Sequence, residues 1–137
     1  MVSISLCMIV KDEEEVLARC LDSVQDIADE IVIVDTGSAD RTREIASRYT
    51  DLVYDFVWID DFAAARNFAF SRGTKDYLMW LDADDVISEK DRRDFLDLKR
   101  DLDPAVDIVM MKYHTGFDDM GNPNFSYYRE RLIKNHK

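Results

Sequence analysis

The chain is short of the residues that build several common kinds of functional site. Its four glycines are isolated from one another, so neither a P-loop nor a GxGxxG turn is present. Its two histidines, His114 and His136, stand too far from any cysteine or histidine partner to indicate zinc. No Ser, His and Asp order typical of a hydrolase occurs either. Glycine-loop nucleotide binding, zinc chemistry and triad hydrolysis are therefore not expected.

Cysteines and long apolar runs are also scarce. The only two cysteines, Cys7 and Cys20, fall in a predicted strand and a predicted helix, which favours buried free thiols and a reducing, cytoplasmic setting. No segment approaches the roughly 18 apolar residues of a membrane span. The first ten residues lack a basic region and lead into an acidic run, which indicates a first strand and not a signal peptide.

Basic residues are the minority among the charged side chains. The chain has 18 Lys and Arg against 29 Asp and Glu, a formal net charge of −11. Nucleic acid is therefore not expected as a partner, because phosphate backbones need a basic surface. A nucleotide is compatible, since one metal ion and one or two arginines can reverse the local sign of charge. With 137 residues and 47% hydrophobic side chains, we expect a single compact domain over 1–137.

Predicted strands and helices alternate along the chain, with strands over 4–10, 31–34, 52–57, 77–81, 105–112 and 125–133, and helices over 12–27, 41–49, 60–70 and 88–102. Asp12 with Glu15 forms a capping-box pattern, Asp40 and Ser88 are candidate N-caps, and Gly73 ends the third helix. A turn over 118–123 joins the last two strands into a hairpin. The pattern predicts an α/β fold: a mostly parallel, mixed sheet flanked by helices, with a C-terminal hairpin.

Three predicted strands end in acidic residues, Asp12, Asp35 and Asp82, at the edge where open α/β sheets bind ligands. The strongest candidate is Asp82-Ala83-Asp84-Asp85, which follows a continuous apolar run. Three carboxylates so close together repel one another, and a divalent cation relieves the repulsion. Asp84 is expected on the cation, directly or through water, and Asp82 on a ribose hydroxyl or metal-bound water; Asp85 is expected to be structural. The alternative is a solvated acidic turn before a helix.

The remaining candidates each have a simpler structural explanation. Asp35, followed by a glycine turn, could contact a base or ribose or could belong to an ordinary strand-to-helix loop. Arg66 could be a fixed cation for a diphosphate, or its side chain could extend to solvent. Residues 11–15 indicate a solvated helix start, with Asp12 or Glu13 within reach of the same ligand. We expect core positions for the aromatic residues, namely Trp58, Phe62, Phe68, Phe70, Trp80, Tyr127 and Tyr128.

Four motifs, in this order and spacing, resemble the N-terminal half of family 2 glycosyltransferases. They are Ser-Leu-Cys-Met-Ile-Val-Lys-Asp-Glu-Glu at 5–14, Ile-Val-Ile-Val-Asp-Thr-Gly-Ser at 31–38, Ala-Ala-Arg-Asn at 64–67 and Trp-Leu-Asp-Ala-Asp-Asp at 80–85. The resemblance runs from about residue 3 to residue 88 and is closest to a bacterial branch. It implies the GT-A fold and a nucleotide-diphosphate sugar as donor.

The resemblance also implies roles for individual residues. Asp82 and Asp84 match the DXD motif, on the ribose and on Mg²⁺ or Mn²⁺ respectively, so both count as metal-site residues. Thr36 departs from the pattern, because many relatives have a second Asp there that contacts the base; a UDP-sugar remains the default donor. The implied donor-binding positions are Val10, Asp12, Asp35, Arg66, Asp82 and Ala83.

Family members usually extend well past 200 residues, and their catalytic base and acceptor-binding elements follow the hairpin region. The resemblance therefore implies an inverting glycosyltransferase of unknown acceptor, truncated here before the general base that inversion requires. Three alternatives stay open. A nucleotidyltransferase should carry a basic, Gly-rich loop after the first strand, and 11–15 is the opposite. A non-catalytic nucleotide-sugar-binding module needs no base. A receiver-type phosphoacceptor domain needs a late lysine, for which Lys112 is a loose candidate.

Overall fold

A computed structural model describes residues 1–117 and 123–135 of the chain. Strands and helices alternate as the hydrophobic pattern predicts, and the chain ends in two long strands. The elements are β1 (Ile4–Val10), α1 (Leu17–Val24), β2 (Glu30–Asp35), α2 (Thr42–Ser47), β3 (Val53–Asp55), α3 (Phe62–Arg72), β4 (Tyr77–Met79), α4 (Glu89–Asp101), β5 (Ile108–Phe117) and β6 (Pro123–Lys134).

The six strands form one mixed sheet in the order β3-β2-β1-β4-β6-β5. The four strands β1 to β4 run parallel, whereas β6 pairs antiparallel with both β4 and β5. Strand β1 lies between β2 and β4, with Val10 opposite Asp35 and Leu6 opposite Met79. The carboxyl ends of β1, β2 and β4 therefore share one edge, as the sequence predicts. The terminal hairpin is confirmed as well; the predicted turn at its tip includes residues 118–122, which lie outside the described residues.

Both faces of the parallel strands are buried, which explains their continuous apolar sequences. Alternate residues of β1 point to opposite faces. Leu6 and Met8 belong to the larger core cluster, where Leu17 of α1 and Phe95 of α4 also lie. Cys7 belongs to a second cluster with Ala69 of α3 and apolar residues of β2 and β4. The sheet is thus held between helices on two sides, with the strand ends left at the edges.

The helix predicted to start at Asp12 begins five residues later, at Leu17. The capping box does not form, because Asp12 has a φ of +53° and its side chain is engaged elsewhere. The Asp12 carboxylate accepts a hydrogen bond from the backbone N–H of Ala39, and the Asp12 N–H donates to the Ser38 hydroxyl. Asp12 therefore joins the loop after β1 to the loop after β2 and does not cap a helix.

Several other predicted boundaries were wrong by a few residues. Strand β4 ends at Met79 and not at residue 81, and the next residue, Trp80, stacks against Arg66. Strand β3 and helix α2 are also shorter than predicted. Asp40 is not the N-cap of α2, although its carboxylate accepts the N–H of Thr42, the first helical residue.

Helix α3 begins and ends two residues later than predicted, and it stops at Gly73 as predicted. The Asp61 carboxylate accepts the N–H of Ala64 at 3.0 Å, and the N–H of Gly73 donates to the Phe70 carbonyl at 3.2 Å. A Cβ at Gly73 would lie 2.5 Å from Leu78 Cδ2 and 3.1 Å from Ser5 Cβ, so a larger residue there would force Leu78 to move. Helix α4 is likewise capped by Ser88, as predicted.

Two aromatic residues assigned to the core from sequence are in fact exposed. Trp58 is 40% exposed and Phe62 is 52% exposed. Trp58 lies between β3 and α3, and Phe62 is the first residue of α3. The Trp58 indole N–H donates to the Asp60 carboxylate at 2.9 Å. The predicted burial of Cys7 and Cys20 as free thiols is confirmed. Within the described residues, no helix is long and apolar enough to cross a membrane.

Candidate functional site

The carboxyl edge of the sheet collects the acidic strand ends. One carboxylate oxygen from each of Asp82, Asp84 and Asp85 lies within 4.8 Å of the others. Asp84 is exposed, whereas Asp82 and Asp85 are half-buried. Such a group offers only hard oxygen donors at close spacing, which fits Mg²⁺ or Mn²⁺ and does not fit a metal that prefers sulfur or nitrogen. The three side chains therefore form a candidate metal centre, here called the acidic loop (residues 82–85).

Hydrogen bonds within the acidic loop give its three aspartates different roles. The backbone N–H of Asp82 donates to the Asp85 carboxylate at 2.9 Å, and the Asp85 N–H donates to the Asp82 carbonyl at 2.9 Å. The Asp85 side chain thus closes the turn and leaves the exposed Asp84 directed to solvent. Behind the loop, the Cys20 thiol donates to the Asp82 carbonyl at 3.7 Å. Burial, followed by the charges of Asp85, Asp84 and Asp82, raises the pKa of Cys20 to about 12.

A fourth carboxylate, that of Glu13, faces the acidic loop from the segment after β1. Partial burial raises the pKa of Glu13, and the negative charges of Asp84, Asp40, Asp82 and Asp12 add to the effect in that order. The Glu13 N–H donates to the Thr42 hydroxyl at 2.7 Å, which fixes this segment against the start of α2. The site therefore carries a surplus of negative charge that a bound cation would relieve.

Asp35 ends β2 as a buried carboxylate, with 1% of its surface exposed. Its Oδ1 accepts the N–H groups of Gly37 and Ser38 at 2.8 and 2.7 Å, a turn that the φ of +112° at Gly37 makes accessible. The Arg43 guanidinium approaches the same oxygen at 3.8 Å and also pairs with Asp55. The other oxygen, Oδ2, is buried and has no hydrogen-bond partner within the described residues. That oxygen therefore keeps an unused acceptor capacity.

Arg66 lies on α3 beside the acidic loop. Its guanidinium carbon stands 4.0 Å from the centre of the Trp80 ring and 4.7 Å from that of Phe62. Arg66 and Asp82 line the same small cleft, of about 30 Å³. The structure therefore brings together a cation and the acidic loop, which are 16 residues or more apart in sequence.

The other predicted site residues occupy less open positions. Val10 is 2% exposed, and its carbonyl accepts both the N–H and the hydroxyl of Thr36. Ala83 is 4% exposed, so only its main chain is available to a ligand. Asp12 is exposed but holds the neighbouring loop, as described above. Val10 and Ala83 therefore shape the site through the main chain, and Asp12 does so through its carboxylate.

Sequence reasoning missed two features of the site. It did not find Arg43 as a partner of Asp35, and no pattern in the sequence indicates that pairing. It also placed Phe62 and Trp80 in the core; the spacing of Phe62 and Arg66, four residues apart on one helix, was a signal that they could meet.

A second, wider cleft of about 640 Å³ lies at the opposite edge, among the amino ends of β2, β3 and β4. Its principal acidic side chains are already engaged in holding the fold. Glu30 accepts from the Ser5 and Thr74 hydroxyls, and Asp29 accepts from the Ile4 N–H and pairs with Lys99 at 2.7 Å. Ligands of parallel sheets bind at the carboxyl ends, so we place the site at the smaller cleft.

Solved structures of known glycosyltransferases share this architecture. TarS of Staphylococcus aureus matches with a TM-score of 0.59 and 21% identity, over 70% of this chain and 32% of that one. The mannosyltransferase PcManGT of Pyrobaculum calidifontis matches with a TM-score of 0.63 and 20% identity, over 78% of this chain and 34% of that one. The fold is therefore the GT-A glycosyltransferase fold, as the resemblance implied.

The family model for glycosyl transferase family 2 matches residues 5–136, and the chain belongs to that family. A TPR repeat-containing protein of Synechococcus elongatus is 51% identical over 87 residues, 64% of this chain and 22% of that protein. An uncharacterized glycosyltransferase of Rickettsia typhi is 34% identical over 66% of this chain and 30% of that protein. Glycosyltransferase SunS of Bacillus subtilis is 29% identical over 81% and 27%. The chain spans less than a third of the length of each of these relatives.

Proposed function

We propose that this chain binds the nucleotide-diphosphate sugar donor of a metal-dependent glycosyltransferase, with a UDP-sugar as the expected donor. One observation carries the proposal: Arg66 and Asp82 line one cleft, at the carboxyl edge of the sheet and beside the acidic loop. A diphosphate is strongly negative, and this edge is acidic. A donor can be held there only if fixed cations, namely Arg66 and a bound metal ion, balance both sets of charges.

In this proposal Asp84 holds Mg²⁺ or Mn²⁺, and Asp82 lies on the ribose or joins the metal shell. A cation held there would neutralise charge that develops on the leaving diphosphate. Asp85 is left to maintain the turn, consistent with its hydrogen bond from the Asp82 N–H. Glu13 adds a further negative charge facing the same cation.

The nucleobase is proposed to lie between the ends of β1 and β2. The Asp35 Oδ2 atom is the oxygen without a partner in the described chain, and it would accept a ring N–H of uracil or guanine. At the position of the second aspartate of many family members, the Thr36 hydroxyl donates to the Val10 carbonyl, so only its oxygen lone pairs remain for a base. Val10 and Ala83 complete the donor site through their main chain, and Asp12 by holding the loop after β2 with its carboxylate.

Complexes of structurally similar proteins support a nucleotide and a divalent ion. Glucosyl-3-phosphoglycerate synthase of Mycobacterium tuberculosis was solved with Mg²⁺ and UDP and with Mn²⁺ and UDP-glucose, at TM-scores of 0.53 and 0.51. PcManGT was solved with GDP-Man and Mn²⁺. These neighbours use both uracil and guanine nucleotides, so the proposal of UDP rests on the family resemblance.

Transfer with inversion is also part of the proposal and requires a general base for the acceptor hydroxyl. We assign no described residue to that role, because the carboxylates of the site are used for the donor and the cation. The two buried free thiols support a reducing, cytoplasmic setting.

Calorimetric titration of the chain with UDP, with and without Mn²⁺, tests the proposal. We expect binding that requires Mn²⁺ and is lost in Asp84→Ala. Asp94→Ala, which removes an exposed carboxylate on α4, is the matched control and should bind as the wild type does. The proposal fails if UDP does not bind under either condition. Incubation with labelled sugar nucleotides then separates an enzyme, which hydrolyses or transfers the sugar, from a binding module, which does neither.

A further inference from the structure

The Arg66 guanidinium is stacked between two aromatic rings that come from different elements. Phe62 lies one helical turn earlier on α3, and Trp80 directly follows β4. The guanidinium carbon is 4.7 Å from the Phe62 ring centre and 4.0 Å from the Trp80 ring centre. Both distances lie within the range of attractive cation–π contacts. We call this arrangement the aromatic clamp (Phe62, Arg66 and Trp80).

The local sequence explains why the clamp forms beside the acidic loop. Ala65 and Ala69 form the buried face of α3 and let the helix lie close to the sheet. Phe62 and Arg66 are four residues apart and therefore lie beside one another on the helix, next to the buried alanines. Trp80 stands two residues before Asp82, so the same short segment supplies one wall of the clamp and the first carboxylate of the acidic loop.

Phe62 is not needed to fill the core, because it is 52% exposed. A large aromatic ring held in solvent at this place calls for an explanation other than burial. The Phe62 ring contacts the guanidinium of Arg66, a residue of the proposed donor site. Stacking of both guanidinium faces restricts the plane of the group while the N–H donors point outward along its edges. A planar edge with fixed donors suits two oxygens of a phosphate or diphosphate.

We infer that Phe62 and Trp80 are positioning residues, which hold the Arg66 guanidinium ready for the diphosphate of the donor. This inference rests on the proposed function and adds two residues to it. The clamp acts on the diphosphate part of the ligand, so nucleosides without phosphate gain nothing from it. Preorganisation of this kind strengthens binding because the arginine has less freedom to lose when the ligand arrives.

A second arginine on α3 is also stacked on aromatic rings and provides a control for the clamp. Arg72, on the same helix, stacks on Tyr54 and Phe68 with distances of 5.5 and 5.0 Å. That group lies away from the cleft lined by Arg66 and Asp82. Phe68→Leu therefore removes an aromatic partner of an arginine without touching the clamp.

The test measures UDP binding by calorimetry with saturating Mn²⁺, and uridine binding by ligand-observed NMR, in four proteins. We expect Phe62→Leu to weaken UDP binding about three- to tenfold, the range of a partly exposed cation–π contact, and to leave uridine binding unchanged. Phe62→Tyr, which keeps an aromatic face, should bind UDP as the wild type does. Phe68→Leu should also leave UDP binding unchanged.

The outcomes separate the inference from the proposed function. If the wild type does not bind UDP with Mn²⁺, the proposed function fails. If the wild type binds and Phe62→Leu binds equally well, the inference is overturned. It is also overturned if Phe62→Tyr is as weak as Phe62→Leu, or if uridine binding falls by the same factor. Equal melting temperatures of wild type and Phe62→Leu show that the exposed substitution leaves the fold intact.

Discussion

The backbone N–H of Asp82 donates a 2.9 Å hydrogen bond to the carboxylate of Asp85, so the last aspartate of the acidic loop holds the first one in place. The two outer members of the group therefore differ in role although they are the same residue type. Asp84, between them in sequence, is the exposed member and has the freest access to a cation.

This relationship predicts different results for substitutions at Asp84 and Asp85. Asp84→Asn should abolish the stabilisation by Mn²⁺ while leaving the metal-free melting temperature equal or higher, because it removes like-charge repulsion. Asp85→Ala should lower the metal-free stability by about 1 kcal/mol or more, since a turn hydrogen bond to a charged group is lost. Thermal unfolding with and without Mn²⁺ measures both effects. Identical profiles for the two variants would contradict the division of roles.

Glu13 predicts a pH-dependent stability difference. Burial and then the neighbouring carboxylates raise its pKa, so the folded state holds this proton more tightly than the unfolded state. The free energy of unfolding then falls as the pH rises from the ordinary glutamate pKa through the raised one, and the penalty persists above it. Glu13→Gln should therefore be more stable than the wild type at about pH 7 without metal, by less than about 1 kcal/mol after allowance for solvent screening.

Denaturant unfolding at several pH values measures the difference in free energy of unfolding between Glu13→Gln and the wild type. The advantage of Glu13→Gln should shrink toward acid pH, where the wild-type side chain is protonated. Saturating Mn²⁺ should reduce the advantage as well, because the cation compensates the negative charge. A Glu13→Gln variant that is less stable at neutral pH would show that this carboxylate has a favourable partner.

Substitution of Gly73 should destabilise the fold through a steric clash, whereas substitution of Gly37 should do so through backbone strain. Gly73→Ala should destabilise the fold by about 1–3 kcal/mol, because its Cβ would meet Leu78 and Ser5 while its φ of −73° is accessible to alanine. Combining Leu78→Ala with Gly73→Ala should recover part of the stability that the introduced methyl group costs. Gly37→Ala should also destabilise, by about 1 kcal/mol or more, but through its φ of +112° and without a clash. Equilibrium unfolding of the double and single variants distinguishes the two causes.

The two buried thiols should be alkylated only after the protein unfolds. Cys20 is buried and has its pKa raised to about 12, and Cys7 is 2% exposed. The thiolate is the reactive form, so neither residue should react with iodoacetamide at neutral pH in the folded protein. Both should react after unfolding in guanidinium chloride. Mass spectrometry counts the labelled sites, and rapid labelling of native Cys20 would show that helix α1 does not protect it.

The convergence of acidic strand ends could be predicted from sequence because it follows from regular structure. Apolar runs define the strands, and parallel pairing brings their carboxyl ends to one edge. The positions of Asp35 and Asp82 at that edge are a consequence of this pairing. Predictions failed where a side chain bonds to a distant segment. Asp12 matches a local capping pattern, but its carboxylate bonds to Ala39, 27 residues away. Lys99 lies in a charged helix pattern yet is 6% exposed, because it pairs with Asp29.

The prediction of core positions for Phe62 and Trp80 was wrong for a related reason. An exposed phenylalanine and a buried one look the same in a sequence, and Phe62 stands at the first position of α3 with 52% of its surface exposed. The stacking of Trp80 on Arg66 depends on the order of strands in the sheet, which local periodicity does not contain. Such contacts become visible only when the fold is known.

The most direct test of the central claim, that the donor binds at the carboxyl edge, is an NMR titration of the ¹⁵N-labelled chain with UDP and Mg²⁺. We predict that the amide signals of Asp35, Gly37, Arg66, Asp82 and Asp84 shift together, and that those of Thr50 and Lys75, at the opposite cleft, do not. Shifts confined to the opposite cleft, or no shifts at saturating UDP and Mg²⁺, would contradict the account.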